Sequence, residues 1–154
     1  MHKQRIYIDT SIVGGYFDEE FKDVTRSFFR MFEEGEVRFV ISDLVLLELL
    51  NAPDRVKHLL YSFGKDVFEK VELTREAVDL ADAYISERVV GKTSLEDCRH
   101  IALATIYKVD VLASWNFKHI VNLQRINGYN SVNLKLGYPV IEIRSPKDLI
   151  SYEN

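Results

Sequence analysis

Two periods of apolar residues alternate along the chain, one typical of strands and the other of helices. Short runs rich in β-branched and aromatic residues predict strands, and apolar residues that recur every three or four positions predict amphipathic helices. The predicted strands cover residues 6–8, 37–41, 68–73, 109–113 and 138–143. The predicted helices cover about 20–34, 44–50, 54–62, 75–89, 94–106 and 117–123, with a polar loop at 126–133 and a last helical turn at Ser145-Pro146.

Several of these helices begin with residues that normally cap a helix. Ser42 with Asp43, and Thr74, are typical N-cap residues. Ser94 and Asp97 stand three residues apart and fit a capping box, with Asp in place of the usual Glu. The helix after Thr74 is expected to bury one side, made of Val78, Ala81, Ile85 and Val89.

The alternation of strands with helices predicts the fold class. It is typical of an α/β protein, so we expect a three-layer α/β/α fold with a mainly parallel central sheet. A length of 154 residues suits one ordinary domain. No repeat, linker or low-complexity segment divides the chain, so a single domain is predicted over residues 1–154.

Composition and charge narrow the class further. The chain is 47% hydrophobic and 29% charged, which is typical of globular proteins and excludes a disordered chain. The single cysteine, Cys98, excludes an internal disulfide and a Cys-rich zinc site. The apolar run after residues 1–5 is too short for a signal peptide, and no apolar stretch approaches the roughly 18 residues of a membrane span. We therefore expect a soluble cytoplasmic protein. The net charge of −4 and the pI of about 5.6, taken alone, argue against a nucleic-acid binder.

Four polar residues stand out against this background. Asp9 ends the first predicted strand, Asn116 closely follows the fourth, and Asp97 begins the helix that leads into that fourth strand. Glu48 has leucines on both sides within its helix, so we expect its side chain to be at least partly buried. Ligands of parallel α/β sheets gather beyond the carboxyl ends of strands, which makes these residues candidates for a site.

Each of the four also has a purely structural interpretation. Asp9 and Asn116 suit a turn or a helix cap, and Asp97 suits its capping box. A buried carboxylate such as Glu48 needs a partner, a metal ion or a proton, and a Lys or Arg elsewhere would serve. Together, three acids and an Asn suit a hard cation, because Mg²⁺ and Mn²⁺ prefer oxygen ligands. Such a site activates water for an in-line displacement at phosphorus. Spacing alone leaves open whether the four residues meet.

The order of these segments resembles the PIN domain family over nearly the whole chain. The individual motifs are weak, but their series and spacing are fairly specific. The segments that carry the resemblance are 6–11, the helix with Glu48 after Ser42-Asp43, Asp97 with 101–104, and 111–119. The tail, at 126–129 and 137–146, is similar to a prokaryotic subgroup that carries Trp-Asn rather than Thr-Asp after the fourth strand.

The resemblance implies a ribonuclease that depends on Mg²⁺ or Mn²⁺, with a parallel sheet between helices. Many such proteins are VapC-like toxins of toxin–antitoxin pairs, and many are homodimers, so RNA, an antitoxin protein and a second copy of the chain are the implied partners. By position, Asp9, Glu48 and Asp97 match the three core acids of the family. Thr10 or Ser11 matches its hydroxyl position next to the first Asp and is a candidate for substrate binding.

Asn116 stands where many members of the family have a fourth Asp. Asn keeps a carbonyl oxygen but carries no negative charge, so a second divalent ion would find less compensating charge. We therefore predict one tightly held metal ion, with any second ion weak or brought by substrate phosphate. Asn116 would then orient a water molecule or bind the substrate.

Phosphate contacts on an acidic chain require local cations. Lys118 and His119 follow Asn116 and are candidates for touching phosphate, with a surface position as the alternative. Lys92 and Arg99 are further candidates.

Three other residues lie near these positions in the sequence. Trp115 suits a packing aromatic better than a platform for an RNA base. His100 lies one helical turn after Asp97, and a core histidine with satisfied hydrogen bonds is favoured over a proton donor. Cys98 is expected to be a small buried residue rather than a ligand or nucleophile.

Other phosphate-handling families fit the sequence poorly. A haloacid dehalogenase-type phosphatase needs a second acid two residues after Asp9, where Ser11 stands. A phosphate-loop NTPase needs a longer glycine motif than Gly14-Gly15. A response-regulator receiver domain needs an acidic pair near residues 1–5, which contain no acid.

The serious alternative belongs to a different class. A PIN-like module that is catalytically weak or inactive would bind only RNA or a protein partner. Asn116 keeps this alternative open, because it replaces a carboxylate at the centre of the predicted site.

Overall fold

The computed structural model describes residues 3–64 and 66–150. The parts of the single-domain and signal-peptide interpretations that fall on residues 1, 2, 65 and 151–154 lie outside the described residues.

Five strands form one parallel sheet. Every neighbouring pair is parallel, and the order across the sheet is β3-β2-β1-β4-β5, which confirms the predicted sheet. The central strand, β1, buries Ile6, Tyr7 and Ile8 in succession, as expected for a strand covered on both faces. The strands are β1 (Gln4–Ile8), β2 (Val37–Ser42), β3 (Glu69–Val71), β4 (Val111–Ala113) and β5 (Ile143–Arg144).

Helices cover the two faces of this sheet. Because parallel crossovers are right-handed, the helices that connect β1 to β2 and β2 to β3 lie on one face, and those after β3 lie on the other. This arrangement is the predicted three-layer architecture. The helices are α1 (Thr10–Gly15), α2 (Lys22–Glu33), α3 (Asp43–Leu49), α4 (Asp54–Lys57), α5 (Leu59–Ser62), α6 (Arg75–Ser86), α7 (Leu95–Ile106), α8 (Leu123–Lys135) and α9 (Pro146–Leu149).

The α6–α7 hairpin positions one of the candidate acids. The two helices pack against each other and are joined by a short link that contains a 3-10 turn, Lys92–Ser94. Tyr107, at the C-terminal end of α7, donates its hydroxyl hydrogen to the backbone oxygen of Glu72 just before α6, at 2.9 Å. The helices therefore run antiparallel, and their connecting link lies at the same end of the molecule as Asp97.

Most predicted helix starts are confirmed. Ser42 and Thr74 cap α3 and α6, accepting hydrogen bonds from Val45 N and Ala77 N, and Pro146 occupies the first turn of α9. The Ser94 capping box was wrong. Because the 3-10 turn leads directly into α7, Ser94 has a ψ of 18° and its side chain makes no cap hydrogen bond.

Three local features of the helices differ from the prediction. A helix, α1, begins directly after Asp9, where no helix was predicted. The helix predicted at 54–62 is broken at His58 into α4 and α5. The buried side of α6 is offset from the predicted one and consists of Ala77, Leu80, Ala81 and Tyr84.

The largest error lies between residues 117 and 135. The helix predicted at 117–123 is a series of turns, and the polar loop predicted at 126–133 lies inside α8. Asn122 caps α8 by accepting a hydrogen bond from Arg125 N, and Tyr129 and Val132 bury one face of the helix. Burial of this face outweighs the low helix propensity of the Asn and Gly residues that predicted a loop.

The strand predicted at 138–143 is reduced to β5. Pro139 has no N–H to donate, and Gly137 turns the chain with a φ of 87°. The Asn130 side chain takes the place of a neighbouring strand, because it accepts from Ile141 N at 2.8 Å and donates to Ile141 O at 3.1 Å.

Within the described residues, no helix has both the length and the apolar character needed to cross a lipid bilayer.

Candidate active site

The candidate site lies where the chain leaves the sheet in two opposite directions. β1 and β4 are neighbours, but the connections from β1 and from β4 lead to opposite sides of the sheet. Such a switch point opens a crevice beyond the carboxyl ends of the strands. Asp9 follows β1 and Ser114 follows β4, so both enter this crevice.

Asp9 is a buried carboxylate with both oxygens held. Its Oδ1 accepts from Ser11 Oγ at 2.6 Å and from Ile12 N at 3.3 Å, and its Oδ2 accepts from Ser114 Oγ at 2.5 Å. The bond from Ile12 N makes Asp9 the N-cap of α1, as its structural interpretation predicted. Burial raises the pKa of Asp9, although the hydrogen bonds from the two serines partly oppose this effect.

The two serines bind the two strand ends together. Ser11 Oγ accepts from Trp115 N at 2.9 Å, and Ser114 Oγ accepts from Asn116 N at 3.0 Å. Sequence reasoning missed Ser114. Its position directly after the fourth strand was the only available signal, since its contact with Asp9 joins residues 105 positions apart.

Glu48 projects from α3 and is partly buried, as predicted, with 31% of its side chain exposed. Its partner is His100 rather than a Lys or Arg, with His100 Nε2 at 2.6 Å from Glu48 Oε1. His100 is 2% exposed, which confirms the expectation of a core histidine with satisfied hydrogen bonds. Burial disfavours the charge on Glu48, but the hydrogen bond and the charge interaction with His100, together with a hydrogen bond from Thr10, outweigh it and lower the pKa of Glu48.

A buried hydrogen-bond chain sets the orientation of His100. Tyr7 Oη lies 2.7 Å from His100 Nδ1 and 2.7 Å from Ser42 Oγ. If Nε2 donates to the ionised Glu48, Nδ1 accepts from Tyr7, and the Tyr7 oxygen accepts from Ser42. This order gives every hydroxyl hydrogen one acceptor and places the imidazole proton on Nε2. Each hydrogen bond of this series therefore has its donor on the side away from Glu48 and its acceptor on the side towards Glu48.

Asp97 completes the group of acids. It lies in the first turn of α7 and is half-buried. Burial raises the pKa of Asp97, and the negative charges of Asp9 and Glu48 raise it further. The three carboxylates are thus near enough to repel one another, although they come from three separate segments of the chain.

This donor set fits a hard divalent cation in chemistry and charge. Three mutually repelling carboxylates at the edge of a sheet are stabilised by a cation that prefers oxygen ligands. The hydroxyl oxygen of Thr10 is buried beside Glu48 and adds a further oxygen to the crevice. Over residues 3–64 and 66–150, no three His, Cys, Asp or Glu side chains already stand close enough to hold a metal ion together. The three carboxylates are therefore too far apart, as they stand, to coordinate one ion together.

Asn116 holds the turn that follows β4. Its Oδ1 accepts from Lys118 N at 3.2 Å and from His119 N at 3.0 Å, so this oxygen serves the backbone. Lys118 is exposed, and His119 is half-buried with no partner for its Nδ1 among the described residues. Arg99 forms an ion pair with Glu96 at 3.5 Å.

Solved structures of similar fold include toxins and toxin–antitoxin complexes. They include VapBC2 from Rickettsia felis bound to a fragment of promoter DNA, with a TM-score of 0.58 and 14% identity over 92% of this chain and 98% of that chain. VapC20 of Mycobacterium tuberculosis, a toxin that cleaves the sarcin–ricin loop, has a TM-score of 0.57 and 13% identity over 73% of this chain and 91% of that chain. DNA-bound VapBC from Salmonella typhimurium has a TM-score of 0.56 and 16% identity over 93% of this chain and 98% of that chain.

The chain has a VapC-like PIN-domain fold. At these identities, the likeness concerns the fold alone. No family model and no curated protein matches the sequence. The likeness to the Trp-Asn subgroup stays a prediction.

Two residues of this PIN-domain fold take the structural roles expected of them. Trp115 is 8% exposed, stacks on Phe21 with 4.2 Å between ring centroids, and donates from Nε1 to Thr25 Oγ1 at 2.9 Å. Cys98 is fully buried, and burial raises the pKa of its thiol to about 12. A thiol with so high a pKa is a poor nucleophile at neutral pH.

Proposed function

We propose that this protein is a ribonuclease that hydrolyses RNA phosphodiester bonds with the help of Mg²⁺ or Mn²⁺. The observation that carries the proposal is the cluster of Asp9, Glu48 and Asp97, in which burial and the charges of Asp9 and Glu48 raise the pKa of Asp97. A cluster of acids at the carboxyl edge of a parallel sheet lowers the stability of the folded state unless a bound ligand offsets the repulsion, so such clusters are typical of functional sites. The PIN-domain fold and the sarcin–ricin loop cleavage of VapC20 support RNA as the substrate.

We assign separate roles to the residues of the site. Asp9, Glu48 and Asp97 would hold the ion, which when bound supplies charge stabilisation for the phosphate and lowers the pKa of water. Ser11 and Ser114 fix Asp9 by direct hydrogen bonds. Asp97 has a raised pKa, which suits a carboxylate oxygen that accepts the proton of the attacking water.

The substrate contacts lie around the turn after β4. The Oδ1 of Asn116 is bonded to backbone N–H groups, so its amide nitrogen is the atom that can donate to a water molecule or to substrate. Lys118 and His119 belong to the same turn and would contact phosphate. Binding of substrate by Thr10 or Ser11 stays a prediction, and Ser11 already contacts Asp9.

The biological role we propose is that of a toxin in a toxin–antitoxin pair. VapBC complexes from two bacteria share the fold, which supports an antitoxin protein as partner. A homodimer belongs to the same proposal, and a cytoplasmic location stays an expectation from the sequence.

The test is cleavage of a labelled RNA by the purified protein with Mn²⁺ or Mg²⁺. We expect Asp9→Asn and Asp97→Asn to lower the rate about 100-fold or more, because each removes one of the three charges that hold the ion. Glu96→Gln is the matched control, because Glu96 neighbours Asp97 but is exposed and outside the cluster. Equal cleavage by wild type and Asp9→Asn, or cleavage that survives EDTA, would contradict the proposal.

One observation favours a second candidate, a PIN-like module that binds RNA or a protein without cleaving. Asn116 supplies no carboxylate, and its Oδ1 is already bonded to two backbone N–H groups. Tight binding of RNA without metal-dependent cleavage in the assay above would identify this module.

A further inference from the structure

A second feature of the carboxyl edge is a groove of about 790 Å³ beside the α6–α7 link. It is bounded by the end of α6, by the link itself and by the first turn of α8. Ile85, Val90 and Leu95 contribute its apolar lining. Leu95 and Asp97 both belong to the first turn of α7, so the groove and the acids lie at the same end of the α6–α7 hairpin.

The groove is basic on an otherwise acidic protein. Arg88, Lys92 and Arg125 line it, opposed by a single carboxylate, Asp82. None of the three cations takes part in an ion pair with any residue in the described ranges 3–64 and 66–150. Three cations against one anion, on a chain with a net charge of −4, give this surface the opposite sign to the molecule as a whole.

One of the cations is held in place by the backbone. Arg88 follows the end of α6 in the left-handed region, with φ of 63°. Arg125 donates from Nη1 to the backbone oxygen of Val89, so its guanidinium is anchored across the groove. A cation with a fixed position loses less conformational entropy when it binds a ligand.

We propose that this groove binds the phosphodiester backbone of single-stranded RNA next to the bond that is cleaved. The proposal rests on the proposed ribonuclease function. Cations that line a groove together with apolar side chains suit a strand in which phosphates alternate with riboses and bases. The groove thus supplies the phosphate contacts that the acidic cluster and the net charge of the chain do not.

The experiment measures the affinity of the full chain for a fluorescein-labelled single-stranded RNA by anisotropy. EDTA is present, so that cleavage is prevented if it depends on metal. The variant is Arg88→Gln with Lys92→Gln. The matched control is Lys108→Gln with Lys70→Gln, which removes the same charge from exposed positions away from the groove. Lys108 also follows a helix end with positive φ, of 54°.

We expect the groove variant to bind RNA about 10-fold more weakly than wild type at 0.1 M salt, and the control to bind as wild type does. The dependence of log Kd on log salt should become shallower by about 1.4, since each lost phosphate contact on a single strand contributes about 0.7. Unchanged affinity and slope in the groove variant, or an equal loss in the control, would overturn the proposal.

Failure of this proposal differs from failure of the ribonuclease proposal. If wild type cleaves RNA with Mn²⁺ but the groove variant keeps its Kd and its KM, the groove proposal alone is wrong. If neither protein cleaves but the groove variant loses RNA affinity, the ribonuclease proposal is wrong, and the groove is an RNA-binding surface with no cleaved bond beside it. A polyglutamate peptide that binds wild type through these cations while RNA does not would make the groove a site for an acidic protein segment, which also overturns the proposal.

Discussion

Two of the site's acids, Asp9 and Glu48, are held by side chains that come from distant parts of the sequence. Asp9 depends on Ser114, and Glu48 depends on His100 and, through it, on Tyr7. A buried hydroxyl that both donates and accepts is costly to lose, because its removal leaves two partners unsatisfied. The orientation of Glu48 is therefore sensitive to a residue that touches no substrate.

Removal of the Tyr7 hydroxyl tests this dependence. In Tyr7→Phe, His100 Nδ1 loses its donor and Ser42 loses its acceptor, so we expect a loss of about 1–3 kcal/mol in the free energy of unfolding. RNA cleavage should fall about 10-fold, because Glu48 loses its fixed orientation. The measurements are urea denaturation and the rate of cleavage with Mn²⁺.

Tyr107→Phe serves as the control for Tyr7→Phe. Its hydroxyl also donates one hydrogen bond, to Glu72 O, but at an exposed position away from the acids. We expect a loss of less than about 1 kcal/mol and normal cleavage. Equal effects of the two substitutions would show that the buried chain has no special role.

The helix α1 joins the site to the outer helices. This short helix begins at Asp9 and ends at Gly15, which packs directly against the Trp115 ring and the Thr25 side chain of α2. Trp115 in turn donates its backbone N–H to Ser11. Packing around Gly15 therefore affects the position of α1, the helix that Asp9 caps.

Adjacent glycines in α1 provide a matched pair of substitutions. A Cβ at Gly15 would lie 2.7 Å from Trp115 Cδ1 and 2.9 Å from Thr25 Oγ1, whereas a Cβ at Gly14 would have no neighbour within 4 Å. We expect Gly15→Ala to lower the free energy of unfolding by about 1–3 kcal/mol. Gly14→Ala should leave it unchanged or raise it by up to about 1 kcal/mol.

Urea denaturation measures both variants. Gly15→Ala should also slow RNA cleavage, because displacement of Trp115 loosens the contact with Ser11. Equal stability of the two variants would mean that α1 adjusts freely and does not transmit packing to the site.

Because the molecule carries more acidic than basic side chains, its free energy of unfolding should depend on pH and on bound cations. The folded protein raises the pKa of Asp9 and Asp97 above the ordinary value of 3.8. The folded state therefore binds protons more tightly than the unfolded state at these groups, and their contribution to stability falls as pH rises through the raised pKa values. Glu48 acts in the opposite sense, because its pKa is lowered and its contribution is lost as pH falls.

A divalent cation should reverse the penalty from Asp9 and Asp97. It binds the deprotonated carboxylates, so the increase in the free energy of unfolding on addition of Mn²⁺ should be larger at about pH 7.5 than at about pH 5. At a free concentration 100 times Kd, the increase is about 2.7 kcal/mol for one site. Thermal denaturation with Mn²⁺ and with EDTA at both pH values checks this.

Asp9→Asn is the reference for that measurement. It keeps a side chain that can cap α1 but removes one charge, so it should abolish most of the Mn²⁺ effect. A stabilisation by Mn²⁺ that is equal at the two pH values, or that survives Asp9→Asn, would place the ion elsewhere on the protein.

Local patterns in the sequence were sufficient for much of the fold. The caps at Ser42 and Thr74 and the turn at Pro146 depend on neighbours within a few residues, so local side-chain chemistry predicts them. α8 and the reduced β5 could not be predicted in this way. Burial of Tyr129 stabilises α8, and Asn130 bonds to Ile141 in place of a strand, and both effects require tertiary contacts.

The sequence by itself determined the kinds of groups at the site, namely carboxylates that follow strands or begin helices. Only the tertiary structure decided which of them meet and what holds them. Asp9, Glu48 and Asp97 come near enough for their charges to interact, because the parallel sheet and the α6–α7 hairpin bring separate segments to one edge. The tertiary structure also assigned His100 to Glu48 and the Asn116 oxygen to the backbone. Hydrogen bonds and repulsion between charges depend on distance in space, which spacing along the chain does not contain.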